Sequence, residues 1–173
     1  MAADAPKAES APPAPTAVTG VVVVPPSKDP PAVSGTYPAA GAAISPGTLV
    51  LKVTFNQRMD PNGWRFDRGA DSYPACLARP RLLPDEKTFV LLCSVGGQGK
   101  FSILFNAPGA GGFANLAGQR ASAFELQFST SDGASVGTLQ DAIKAAGLKA
   151  EDDPVMDKRP ATAALAANPP RPQ

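Results

Sequence analysis

The sequence predicts an all-β fold: an antiparallel β-sandwich of six to seven short strands over residues 31–131, then one short helix, with disordered Pro/Ala-rich tails at both ends. Three observations carry this expectation. Residues 48–55 (TLVLKVTF) alternate Leu49, Leu51, Val53 and Phe55 with Val50, Lys52 and Thr54, the period of two of a strand with one face on a core and the other towards water. Similar short apolar runs recur up to residue 130 between clusters of Gly, Pro, Asn and Asp, which are turn residues. The two ends, MAADAPKAESAPPAPTA and PATAALAANPPRPQ, are rich in Pro and Ala and poor in aromatics. Such segments bury too little apolar surface to offset the entropy of ordering. Of the 173 residues, about 100 remain for one core, the size of a single sandwich.

Charge and hydropathy narrow the function classes. With 16 basic and 15 acidic residues, a net charge of +1 and the two signs intermixed, the chain has no long-range field to gather nucleic acid or an anionic membrane. No window reaches the ~20 apolar residues of a membrane span. The run VVVV at 21–24 is stopped at once by Pro25 and Pro26. Met1 followed by AADAPKAES resembles a mature exported chain whose signal peptide has given way to a start Met, which predicts a periplasmic or extracellular location. A cytosolic protein with a disordered tail is the competing account.

Taken in order, residues 1–19 read as a spacer of polyproline II character. The β-branched run at 18–24 has strand propensity without a local partner, so it suits either addition to a sheet edge or an extended linker. Residues 32–38 (AVSGTYP) predict the first strand, and PAAGAAISPG carries the chain to the central strand at 48–55. Asp60-Pro61-Asn62-Gly63 is a tight-turn signal, after which Trp64 and Phe66 restart an extended segment. DRGADSYP is a polar loop. Residues 76–83 (CLARPRLL) form a Pro-interrupted strand, and Pro confines it to an edge. Residues 84–87 (PDEK) turn the chain into TFVLLCS at 88–94, apolar on both faces and so predicted to be buried on both. After Gly96-Gly97-Gln98-Gly99, Phe101, Ile103 and Phe105 mark one face of the next strand. A Gly-rich loop then leads to the last strand at 123–130, with Phe124, Leu126 and Phe128 inward. Ser135 or Thr138 is placed to cap a helix whose stripe is Leu139, Ala142, Ile143 and Ala146 and whose stop is Gly147. At two to three turns that helix needs a docking surface or it frays.

YPAAGAAISPGTLVLKVTFNQRMDP, a hairpin, and then FSILFNAPGAGGFANLAGQRASAFELQFSTS together resemble the bacterial Ig-like domain family known from S-layer and other secreted multidomain proteins. The resemblance covers residues 31–131. It rests on Pro38, Gly41 and Pro46 before the central strand, Phe55 and Met59-Asp60 at its end, Asn115 and Gly118 in the closing loop, and Leu126, Phe128 and Thr130 in the last strand. Asn115 stands where Asp is commoner, and the two cysteines are not a general feature of the family. The resemblance implies an Ig-like sandwich acting as a spacer, accessory module or adhesion element, with no shared catalytic residues.

Few side-chain constellations suggest chemistry. The chain has no His, which removes the commonest general base, the Ser and Cys triads and the usual zinc ligand. GQGK at 97–100 lacks both the first Gly and the Ser/Thr of a phosphate loop, and GAGGFA at 109–114 opens no helix that would receive a pyrophosphate. Asp67 with Asp71, or Glu151 with Asp152 and Asp153, fall short of a calcium loop in ligand density. A hairpin turning near Asp85 and Glu86 brings Cys76 and Cys93 within a residue or two of register, so an exported chain is expected to join them in a disulfide, whereas a cytosolic one would keep two buried thiols. Around Trp64, arginines and aromatics interleave as they do at binding hot spots. Trp64 and Phe66 are the better core candidates, which leaves Arg65, Arg68 and Tyr73 as the surface candidates.

The resulting expectation is a non-enzymatic exported module, without cofactor, that has a structural or protein-interaction role at a bacterial cell envelope. The alternative is an envelope glycan or peptidoglycan binder using the loop aromatics and arginines. An enzyme would require carboxylates such as Asp67 and Asp71 in a cleft.

Overall fold

A computed structural model of the chain describes residues 28–155. The expected Pro-rich tails, and with them the run at 21–24, lie outside these residues except for the short stretch next to the sandwich. Two sheets face each other. One holds β1 (Val33–Tyr37), β3 (Gly47–Phe55), β7 (Thr88–Val95) and, on its far edge, β5 (Ala75–Cys76) and β6 (Arg81–Leu82), in the order β1-β3-β7-β5 with β6 also on β7. The other runs β2 (Ala43–Ile44), β9 (Phe124–Thr130), β8 (Lys100–Phe105), β4 (Phe66–Arg68). This is the expected all-β sandwich, with the predicted 76–83 strand split into two pieces. It differs in one pairing: β2, read from sequence as part of a connection, lies parallel to β9, while the other strand pairs are antiparallel.

The main core fills the space between the sheets. Leu49, Leu51, Val53 and Phe55 of β3 meet Phe89, Leu91 and Cys93 of β7, Ile103 and Phe105 of β8, and Leu126 and Phe128 of β9. The inward set in each strand is the alternating set visible in the sequence. The expectation that the other face of β3 meets water is corrected. Val50 is fully buried in a second cluster with Leu83, Val90, Ala142, Ile143 and Ala146, because α1 (Leu139–Ala145) lies on that face. Lys52, on the same face, donates from Nζ to the Ala146 carbonyl at 2.8 Å, meeting one of the orphan acceptors at the helix C-terminus. At the other end the Thr138 hydroxyl accepts from the Asp141 amide, the capping expected of this residue. The helix is therefore held by burial and by both caps. Beyond the helix, the chain also contacts the sandwich: Arg81 Nη1 donates to the Glu151 and Asp153 carbonyls at 2.8 and 2.9 Å.

Met59-Asp60 and Asn115, three of the residues that carry the family resemblance, meet at one end of the sandwich. Met59, buried, bridges to Asn115, and the Asp60 amide donates to the Ala114 carbonyl at 2.9 Å. Asn115 Oδ1 accepts from the Ala117 and Gln119 amides, the local turn an Asp in this position would also make. Asn in its place keeps the loop closed and adds an amide that donates to Gln57 Oε1 and Gln119 Oε1, which an aspartate cannot do.

The Gly-rich loop between β8 and β9 supplies a core residue. Phe113 is fully buried, with its ring centroid 5.1 Å from Phe55, 5.1 Å from Phe66, 5.0 Å from Phe89 and 6.0 Å from Phe105. Asn106, itself buried with φ 56°, clamps the loop: its amide donates to the Phe113 and Ala121 carbonyls and its oxygen accepts from the Phe113 amide at 2.7 Å. Gly112, at φ 108°, is where the backbone passes so close to the Asn106 side chain that a Cβ would collide with it.

Candidate functional site

The candidate surface lies along the β5–β6 edge and the segment leading into β4. Cys76 stands directly opposite Cys93 in the β5–β7 register, and the two are joined in a disulfide. The sequence placed them within a residue or two of this register. Downstream, Arg81 pairs with Val90, so four residues, 77–80, stand opposite the two residues Leu91 and Leu92 of β7. The extra residues bow outward. Pro80 lacks a ladder donor and falls where the strand leaves the sheet.

Of the three sequence-predicted surface residues, Arg65 and Tyr73 come together and Arg68 does not. Arg65 and Tyr73 line a cleft of ≈ 420 Å³ together with Trp64, Cys76 and Leu77. The Arg65 charge is already met by Asp67, with Nε 2.7 Å from Oδ2, and Nη1 reaches the Ala110 carbonyl. Tyr73 is half-buried against the core; burial, and then the Asp67 charge, push its phenol above the usual value. Arg68 instead closes the DRGAD loop by donating from Nε to the Asp71 carbonyl. Trp64 and Phe66 pack on the main core as partly buried residues, in keeping with their reading as core aromatics.

Two residues that the sequence reading passed over complete the surface. The Arg79 guanidinium lies over the Trp64 ring, 5.3 Å from its centroid, a cation–π contact. Leu77 is 50% exposed. Their signal was the Pro that interrupts CLARPRLL: it implied an edge, and residues that interrupt an edge strand are the ones displayed.

Several acidic groups are engaged locally. Asp67 Oδ2 accepts from Arg65 Nε at 2.7 Å. Asp152 Oδ2 accepts from the Lys149 amide and Asp153 Oδ1 from the Val155 amide. Among the described residues no three of His, Cys, Asp and Glu are grouped to hold a metal ion, and no helix is long and apolar enough to cross a membrane. At the β6–β7 turn, burial raises the Asp85 carboxyl, but hydrogen bonds from the Thr88 hydroxyl and the Lys87 and Thr88 amides, with the Lys87 charge, outweigh it and hold Asp85 below the usual carboxylate value.

No family model matches the chain, and no curated protein matches it. Among solved structures, the S-layer protein rSbsC(31-844) is similar at 15% identity over 61% of this chain, with a TM-score of 0.40. Domains 1–6 of surface layer protein SbsC are similar at 14% identity over 62% of the chain, with a TM-score of 0.41. The match spans 14% of the length of each of those proteins. Nothing about activity, ligand or partner follows from a likeness at this level.

Proposed function

We propose that the chain is a non-catalytic, exported Ig-like module with a structural or protein-interaction role at a bacterial cell envelope. The strand order supports the Ig-like reading. With β1, β3, β5 and β7 as strands A, B, D and E, and with β4, β8 and β9 as C, F and G, the sheets reproduce the ABED and CFG sets of the immunoglobulin fold. The cystine lies within one sheet, between D and E, instead of bridging the sheets between B and F as in antibody domains.

The single observation that carries the compartment is this cystine. Structural disulfides persist in oxidising compartments and are rare in the cytosol. It closes a loop with a sequence separation of 17, for which the chain-entropy model gives about 3 kcal/mol. The structural role is supported by how the polar groups near the cystine are used. Arg65 pairs with Asp67, Arg68 with the Asp71 carbonyl and Arg81 with the Glu151 and Asp153 carbonyls, which stiffens the surface, while Arg79 lies over the Trp64 ring.

The test is made in cells that produce the chain naturally. Thiols are blocked with a membrane-permeant maleimide at the moment of lysis, and the intact mass is read from the envelope and cytosolic fractions. The expected result is an unlabelled protein in the envelope or extracellular fraction, with a melting temperature that falls on reduction. Two maleimide adducts on cytosolic protein would overturn the proposal.

A further inference from the structure

We propose that the bulge at residues 77–80 is a docking site for a protein partner, which it grips through an extended acidic segment: a carboxylate on Arg79 and a neighbouring apolar side chain against Leu77. This rests on the interaction-module reading and supplies it with a site and a partner chemistry.

The bulge is held at three points, so little order is lost when a partner binds. Its start is tied by the Cys76–Cys93 cystine and by the Leu77 amide, which donates to the Leu92 carbonyl at 2.9 Å. Its end is tied by Arg81, whose Nη1 is committed to the Glu151 and Asp153 carbonyls. Its middle rests on Trp64 through Arg79. What this frame displays is unusual for the rest of the surface. Three large hydrophobic residues are exposed among the described residues, and two of them, Leu77 and Val155, line one cleft of ≈ 610 Å³ together with Arg79, Pro80 and Arg81. Leu77 and Ala78 also form the wall shared with the Trp64 cleft.

Charge selects the occupant. Among the described residues no Asp or Glu lines either cleft. Arg65 is neutralised by Asp67, whereas Arg79 has no carboxylate partner among the described residues. Its guanidinium carbon lies 5.3 Å from the Trp64 ring centroid, and its planar fork of N–H donors suits a bidentate carboxylate. The same contact argues against a glycan. Sugar rings stack on exposed aromatic faces, but the Trp64 face carries Arg79, Tyr73 is half-buried, and what remains open is aliphatic. Leu77, Pro80 and Val155 beside one free arginine suit a peptide that carries an acid next to an apolar residue.

The experiment displays random 12-residue peptides to the immobilised full chain, oxidised, and repeats the selection on Arg79→Gln, Leu77→Ser and the remote Arg120→Gln. All four proteins are checked for an unchanged melting temperature. The expected result is enrichment of peptides with Asp or Glu within two residues of Leu, Ile or Phe. Synthetic copies should lose about tenfold or more in affinity on Arg79→Gln and on Leu77→Ser, bind more weakly at high salt, and be unaffected by Arg120→Gln. No such enrichment, or equal binding by Arg79→Gln, overturns the proposal. So does binding of soluble peptidoglycan fragments that is lost on Arg79→Gln, which would make the site a glycan site, or concentration-dependent dimerisation lost on Leu77→Ser, which would make the occupant a second copy. Failure here with the cystine intact in the envelope fraction leaves the exported-module reading standing. Failure of the thiol test removes that reading whatever the peptides do.

Discussion

Phe113→Ala is the sharpest test of how the sandwich is held together. Phe113 comes from a loop, yet it is fully buried and its ring meets those of Phe55, Phe66, Phe89 and Phe105. Truncating a buried Phe costs about 3–5 kcal/mol in transfer and cavity terms. The upper end applies here, because the ring contacts add about 0.5–1.5 kcal/mol per pair beyond burial and because β3, β4, β7 and β8 each lose a neighbour and cannot all collapse into one void. For a domain whose total stability is typically about 5–15 kcal/mol, that is a large share. At about 2–4 °C per kcal/mol for a chain of this length, the melting temperature should fall by roughly 8–20 °C. Leu116→Ala, three residues on in the same loop and 49% exposed, is the control and should stay within about 0.5 kcal/mol. Urea melts followed by Trp64 fluorescence measure both. A Phe113→Ala loss below about 1 kcal/mol, or equal to that of Leu116→Ala, would refute the placement of this loop in the core.

Two further outcomes follow from the second cluster and the β6–β7 turn. Val50→Ala removes two buried methyl groups between β3 and α1 and should cost about 2 kcal/mol, with a matching loss of amide-exchange protection in the helix; exposed-face behaviour would mean that the helix docks elsewhere. Asp85 is held below its usual value in the folded state, so its contribution is present above the unfolded carboxylate pKa of about 3.9 and is lost as pH falls through the lower folded value. Asp85→Asn should therefore be less stable than the parent at pH 6, with the gap closing in acid melts below pH ~4. A gap that is constant from pH 6 to pH 2 would exclude the carboxylate as its source.

The alternation of Leu49, Leu51, Val53 and Phe55, the turn residues at 60–63 and 84–87, the Pro that confines 76–83 to an edge, and the Thr138 and Gly147 helix ends were legible because each depends on neighbours a few residues away. The candidate surface was legible in part. Arginine and aromatic composition pointed to Arg65 and Tyr73, but the stacking of Arg79 on Trp64 joins residues 15 positions apart across a strand interruption, and no local pattern encodes it.

By itself, the sequence determined the longer strands, which of their faces is most apolar, and where the chain turns, since backbone sterics and burial periodicity act locally. Only the tertiary structure decided that Val50 is core, that Phe113 leaves its loop to fill the space between the sheets, that β2 runs parallel to β9, and that Arg79 lies over Trp64. Each of these depends on which distant segment occupies the adjoining space, and that is settled by packing the whole chain at once.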